Sequence, residues 1–157
     1  MIRILSTLAL CSILWMGVSS CNKECKPKPV SAEADALMAY AASNGLTDVQ
    51  SHSSGLYYQI VNPGSGASAT ADSYIKITYV GKFLDGEIFD QQSSANTTAW
   101  PLAGLIEGWR IGIPLIKEGG HIRLLVPSAL AYGCEGRGVI SGNTPLFFDV
   151  QLVDVEP

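Results

Sequence analysis

A period of two in the second half of the chain narrows the fold more than any other feature. Ile75, Ile77 and Tyr79 fall on one face of the run Tyr74–Val80, with Lys76 and Thr78 on the other. In Leu146–Val155, Leu146, Phe148, Val150 and Leu152 alternate in the same way with Asp149 and Gln151. Such alternation makes strands with one apolar and one solvated face. Ile122, Leu124 and Val126, separated by Arg123 and Leu125, repeat it up to Pro127. Leu56–Val61 reads as a further strand, closed by the turn Asn62-Pro63-Gly64-Ser65-Gly66, and Asp85-Gly86 marks a tight turn before Glu87-Ile88-Phe89-Asp90. From Ser54 onward the pattern is therefore β.

One element breaks the rhythm. Leu105-Ile106-Glu107-Gly108-Trp109 follows the polar stretch Gln91–Ala99, and Trp109, Ile113 and Ile116 then share helical spacing until Gly119-Gly120 ends the run. Gly112 and Pro114 oppose a regular helix, so the element is expected to be short or distorted. About five antiparallel strands curling over one short helix define an α+β fold. Trp109 then stands where the core forms, either as ordinary packing or as the floor of a pocket.

At 157 residues, 47% hydrophobic and 15% charged, the chain suffices for one domain with a real core, placed at residues 54–157, plus a small appendage. Its formal net charge of -4 lacks the basic field that draws a protein to nucleic acid, so no nucleic-acid partner is expected.

Ahead of that domain, Arg3 precedes an apolar run from Ile4 to Val18, broken by Ser6, Thr7, Ser12 and Gly17. The run is shorter than the ~20 residues of a spanning helix and fits a secretory signal over residues 1–20. Val18-Ser19-Ser20-Cys21 resembles the bacterial lipobox, which implies acylation of Cys21 and a lipid anchor in a bacterial membrane; the plainer alternative is an ordinary signal cut after Ser20. Residues 21–30, with Lys23, Lys26, Lys28, Pro27 and Pro29, read as an extended tether. Within residues 31–53, Ser31 is a candidate N-cap, Glu33 and Asp35 suit a first turn, and Gly45 a stop. Ala34, Leu37, Met38 and Ala41 would give that helix one apolar stripe, for docking on the main domain in preference to pairing with a second copy, so a monomer is expected. Of the 4 cysteines, Cys11 leaves with the signal and Cys21 is used if acylated. Cys25 and Cys134 remain, to pair or to stay free in an exported, oxidising setting.

The chain is poor in reactive constellations. His52 and His121 are far apart, with no cysteine or carboxylate cluster beside either, and no metal site is expected. Gly64-Ser65-Gly66 lacks the setting of a nucleophile elbow, and Gly133-Cys134-Glu135-Gly136-Arg137-Gly138 opens no helix as a dinucleotide turn would. What remains is a group of aromatics beside one aspartate, suited to an apolar recognition pocket that needs no cofactor.

In chain order, Tyr79-Val80-Gly81, Asp85-Gly86, Phe89-Asp90, Leu105-Ile106-Glu107-Gly108-Trp109, Ile122–Pro127, Ala131-Tyr132-Gly133 and Leu146-Phe147-Phe148-Asp149-Val150 resemble an FKBP-type peptidyl-prolyl isomerase from about Ser54 to Pro157. The resemblance implies an FKBP-like sheet around a short helix, with Trp109 at the floor of a prolyl pocket and Tyr79, Phe89, Leu105, Ile106, Tyr132, Val139, Ile140 and Phe148 around it. It implies that the Ile106 N–H and the Tyr132 hydroxyl bond substrate carbonyls, with the Asp90 carboxylate alongside. It implies as partners proline-containing polypeptide clients and macrolide inhibitors, with a peptide-binding chaperone of weak isomerase activity as the alternative. The chain departs from the family pattern in several places. No Lys or Arg lies within Gln91–Ala99 to pair with Asp90, Trp100 stands where phenylalanine is usual, and Arg137 replaces a common histidine in a last loop about one residue short. Activity is expected to survive these changes, and macrolide affinity to be the property most affected.

Overall fold

The computed structural model describes residues 25–95 and 98–157. Cys21 and the segment read as a signal lie outside the described residues. A 3-10 turn at Val30–Glu33 leads into helix α1 (Ala34–Ser43). Strands β1 (Gln50–Ser51), β2 (Tyr57–Asn62), β3 (Tyr74–Lys82), β4 (Ile88–Gln92) and β5 (Trp100–Pro101) precede helix α2 (Glu107–Gly112), and β6 (His121–Val126) and β7 (Leu146–Glu156) follow it. The sheet is antiparallel throughout, in the order β1-β2-β6-β7-β3-β4, with β5 paired to β3. Of its five longer strands, β3, β6 and β7 are those the alternation predicts, β2 is the further strand read at Leu56–Val61, and β4 follows the tight turn at Asp85-Gly86. The two-residue strands β1 and β5 leave no signal in the sequence, since two residues cannot display a period; β1 sits ahead of Ser54, within residues 31–53.

The inward residues are those the alternation selects. Ile75, Ile77, Ile122, Leu124, Leu146 and Val150 are fully buried, with Leu152 nearly so, and they share a core with Trp109 of α2, Ile113 of the 3-10 turn Ile113–Leu115 behind it, and Ile116 just after that turn. Helix α2 lies close on β6 because two of its residues have no side chain. A Cβ on Gly108 would come within 2.5 Å of a Val126 methyl, and one on Gly112 within 2.5 Å of a Leu124 methyl. Gly112 thus costs helix propensity and gains close packing, while Pro114 falls in the first positions of the 3-10 turn, where its missing N–H is not needed. The expected short, distorted helix is the one observed.

A second, smaller core covers the outer sheet face. Leu125 and Phe147, on the phase opposite to the main core, are buried under Leu37, Tyr40 and Ala41 of α1, with the Tyr40 and Phe147 rings 5.1 Å apart. The helix docks, as expected, but its stripe is rotated from the one read in the sequence: Tyr40 faces inward and Met38 is 41% exposed. Its start also differs. Ser31 does not cap it; Val30–Glu33 coil as a 3-10 turn behind Pro29, and α1 begins at Ala34 without a side-chain cap. Its end is as expected: Gly45 has φ 65, and the Leu46 N–H reaches back to the Ala41 carbonyl at 2.9 Å.

One further reading is corrected. The tether is pinned from Cys25 onward: Cys25 is disulfide-bonded to Cys134, and Lys26 and Lys28 bond through their backbone to Asn143. His121 has a single carboxylate neighbour, with Nε2 2.5 Å from Asp149, which also accepts from Arg123 Nε at 2.9 Å. The β6–β7 register sets Arg123 directly opposite Asp149, so these polar groups gather on one sheet face. They take no part in lining the aromatic cavity described next.

Candidate functional site

The concave side of the sheet and the loops above it enclose a cavity of about 560 Å³, within the range of small-ligand and peptide clefts. Its floor and one wall are a connected series of rings. Trp109, 4% exposed, meets Tyr79 edge-on with centroids 5.1 Å apart and Phe148 edge-on at 5.2 Å. Phe148 in turn meets Phe89 at 5.6 Å and 90°, while Tyr79 meets Trp100 at 6.4 Å. Edge-to-face pairs add about 0.5–1.5 kcal/mol each beyond area burial, so the rings brace one another as well as lining the space. The ladder explains the arrangement. Tyr79 and Phe148 stand on neighbouring β3 and β7, and Gly81 is paired with both Phe148 and Asp90. A Cβ on Gly81 would lie 2.7 Å from the Phe89 ring and 3.1 Å from the Phe148 ring, so glycine there is what lets the two aromatics close over β3.

The polar groups are few. The Tyr79 hydroxyl donates to Asp90 Oδ2 at 2.5 Å. Partial burial of the phenol, followed by the adjacent carboxylate, raises its pKa well above the ordinary tyrosine value, so Tyr79 remains a protonated donor and Asp90 an acceptor. This is how Asp90 is held without a basic partner. Ile106 caps α2, its carbonyl accepting the N–H groups of Trp109 and Arg110 at 3.0 and 3.1 Å. Its own N–H has no acceptor among the described residues, and neither the Tyr132 hydroxyl nor the buried Trp109 Nε1 is hydrogen-bonded there. Opposite the sheet, the Arg137 guanidinium lies 5.7 Å from the Tyr132 ring centroid.

Every lining residue named from the sequence reaches this cavity: Tyr79, Phe89, Asp90, Leu105, Ile106, Trp109, Tyr132, Val139, Ile140 and Phe148. Trp100, Gly104, Arg137 and Gly138 line it as well, beyond the lining the resemblance implies. Trp100 had a signal, an aromatic ending a polar stretch; Gly104 and Gly138 had none, because they contribute backbone. Among the described residues no cluster of metal-ligating side chains forms.

An antiparallel sheet wrapped around a short helix, with an aromatic cleft whose hydrogen-bond donors are unused among the described residues, defines a small α+β domain. The FKBP-type peptidyl-prolyl cis-trans isomerase family model matches residues 66–153. The chain is 39% identical over 110 residues to the FKBP-type peptidyl-prolyl cis-trans isomerase FkpA of Escherichia coli, covering 69% of this chain and 41% of that protein. A probable FKBP-type isomerase of Haemophilus influenzae is 32% identical over 157 residues, 99% of this chain and 64% of that one. The crystal structure of Escherichia coli FkpA superposes with a TM-score of 0.71 at 34% identity, covering 82% of this chain and 61% of that one. A Pseudomonas syringae peptidyl-prolyl cis-trans isomerase gives a TM-score of 0.68 at 30% identity, over 84% and 99% of the two chains. The protein belongs to the FKBP-type peptidyl-prolyl cis-trans isomerase family and has its fold. It spans less than half the length of the FkpA proteins it matches.

Proposed function

We propose that the chain is a peptidyl-prolyl cis-trans isomerase acting on exported polypeptides, with the aromatic cavity as its active site. The observation that carries this is the pairing of a braced aromatic floor with free donors at Ile106 and Tyr132. Rotation about an Xaa-Pro bond is opposed by amide resonance, a barrier of ~18–20 kcal/mol. No bond is made or broken, so the site needs neither nucleophile nor metal. Desolvation against Trp109, Tyr79, Phe89 and Phe148 disfavours the charge-separated resonance form, and the Ile106 N–H and Tyr132 hydroxyl hold the flanking carbonyls while the prolyl nitrogen turns. Tyr79 and Asp90 polarise the rim, Leu105, Val139 and Ile140 bound the prolyl ring, and macrolide binding at the same cavity is weakened by the Trp100 and Arg137 exchanges.

The cellular setting is part of the proposal. The Cys25–Cys134 disulfide supports an oxidising compartment. No helix among the described residues is long and apolar enough to cross a membrane, and we assign attachment to acylation of Cys21 after removal of residues 1–20. Mass spectrometry of the mature N-terminus tests that assignment: an unmodified N-terminus would refute it. A protease-coupled isomerisation assay on an Xaa-Pro peptide tests the activity, and a null result with the fold intact by tryptophan fluorescence would overturn it. Equal acceleration of a proline-limited and a proline-free refolding client would favour a chaperone.

A further inference from the structure

Residues 25–33 lie outside the cavity, yet they grip the loop that forms one side of it at three places. At the start of the loop, the Glu33 carboxylate, only 4% exposed, accepts the Ser128 N–H at 2.7 Å and the Ser128 hydroxyl at 2.9 Å. In its middle, Cys134 is bonded to Cys25. At its end, the Asn143 side chain donates to the Lys26 carbonyl and accepts the Lys28 N–H, both at 3.1 Å. Between these points lie Tyr132, Arg137, Val139 and Ile140, all lining the cavity. The Ser128 carbonyl accepts from Ala131 at 3.0 Å and Gly133 at 2.8 Å, so Glu33 holds the residue on which the turn bearing Tyr132 closes.

A carboxylate withdrawn from water is costly unless its oxygens are used. Here both oxygens are spent on one serine, with Lys28 Nζ 3.9 Å away. Leu37 and Tyr40 already dock α1 by apolar burial, and charge-assisted hydrogen bonds add direction that apolar contact lacks. We infer that residues 25–33 are a positioning element of the site: through Ser128, Cys134 and Asn143 they set loop 128–143 so that Tyr132 and Ile140 complete the cavity around Trp109. The inference rests on the isomerase reading. It places a determinant of that activity outside the matched region 66–153, with Glu33 as a positioning residue acting through Ser128.

The test measures KM and kcat separately for the full chain and for Glu33→Ala, Glu33→Gln and Asn143→Gly. If the competent loop arrangement falls to roughly a fifth of the population, KM rises about five-fold while kcat holds, since saturating substrate draws the loop back. Glutamine keeps an acceptor for the Ser128 N–H and is expected within about two-fold of wild type. Asn143→Gly keeps the left-handed backbone (φ 57 at Asn143) and removes only the two side-chain bonds, so it decides the question should Glu33→Ala fail to fold. An active wild type with KM unmoved in the folded variants overturns the inference alone; an inactive, folded wild type overturns the isomerase reading and the inference with it.

Discussion

On one side of the cavity, Tyr79, Phe89 and Phe148 stand on β3, β4 and β7, whose ladder runs from Tyr74 opposite Glu156 to Lys82 opposite Phe147. On the other, Tyr132, Val139 and Ile140 ride on a loop with little strand structure, whose glycines at 133, 136 and 138 take positive φ and whose Val139 is 75% exposed. The sheet side is fixed by neighbours on the ladder and by ring against ring. The loop side depends on residues about a hundred positions away in the chain. On the proposed isomerase function, a rotating amide needs a floor that does not move and a cover that admits and releases polypeptide, and the two sides would divide that work. Disturbing the sheet side is therefore expected to change stability and chemistry together, and disturbing the loop side to change substrate affinity first.

The sharpest way to break this contrast is at the floor. Trp109→Ala removes a buried ring from the main core and is expected to destabilise by about 3–5 kcal/mol, with isomerisation falling toward the uncatalysed rate; denaturant melts and the peptide assay read both. On the loop side, replacing Cys25 and Cys134 by serine opens a cross-link spanning 109 residues. That costs about 2–5 kcal/mol and lowers Tm, while amide exchange should rise in residues 128–143 ahead of β3 and β7. Tyr79→Phe removes only the hydroxyl held by Asp90, at about 0.5–1.5 kcal/mol. Because the folded phenol titrates above its ordinary 10.0, that contribution is fully present below pH 10 and is lost as pH rises further. The difference in stability between wild type and Tyr79→Phe should thus be flat through neutral pH and narrow only in strong alkali. The smallest effect is expected at Arg137→Gln, which removes a solvent-exposed cation–π contact of about 0.5–1 kcal/mol and should alter peptide KM less than it alters macrolide affinity.

The two sides also differ in how far the sequence reveals them. Alternation alone identifies the inward residues of β3, β6 and β7, since a period of two maps directly onto a face. The ordered motifs then group Tyr79, Phe89, Trp109 and Phe148 from sequence alone. Tyr132, Val139 and Ile140 are found by motif, but what holds them is hidden. Glu33 has the look of a first-turn acid, and nothing local distinguishes it from Asp35. Its burial follows from a 3-10 turn that delays α1 to Ala34, and its partner Ser128 is 95 positions away. The Cys25–Cys134 pairing is hidden for the same reason, because long-range partners on loops leave no periodicity. Leu125 and Phe147 lie in apolar runs that fit either face, and only the docked helix explains why both faces are apolar there.

Whether this aromatic cavity turns prolyl bonds is read most plainly by exchange NMR on an Xaa-Pro peptide with catalytic amounts of isotope-labelled protein. Uncatalysed interconversion takes ~10–100 s at 25 °C. Cis and trans signals are expected to exchange well within a second, with peptide-induced shifts concentrated at Tyr79, Ile106, Trp109 and Tyr132. Exchange at the uncatalysed rate in the presence of folded protein, or acceleration that survives Trp109→Ala in a chain that still folds, would contradict the isomerase reading.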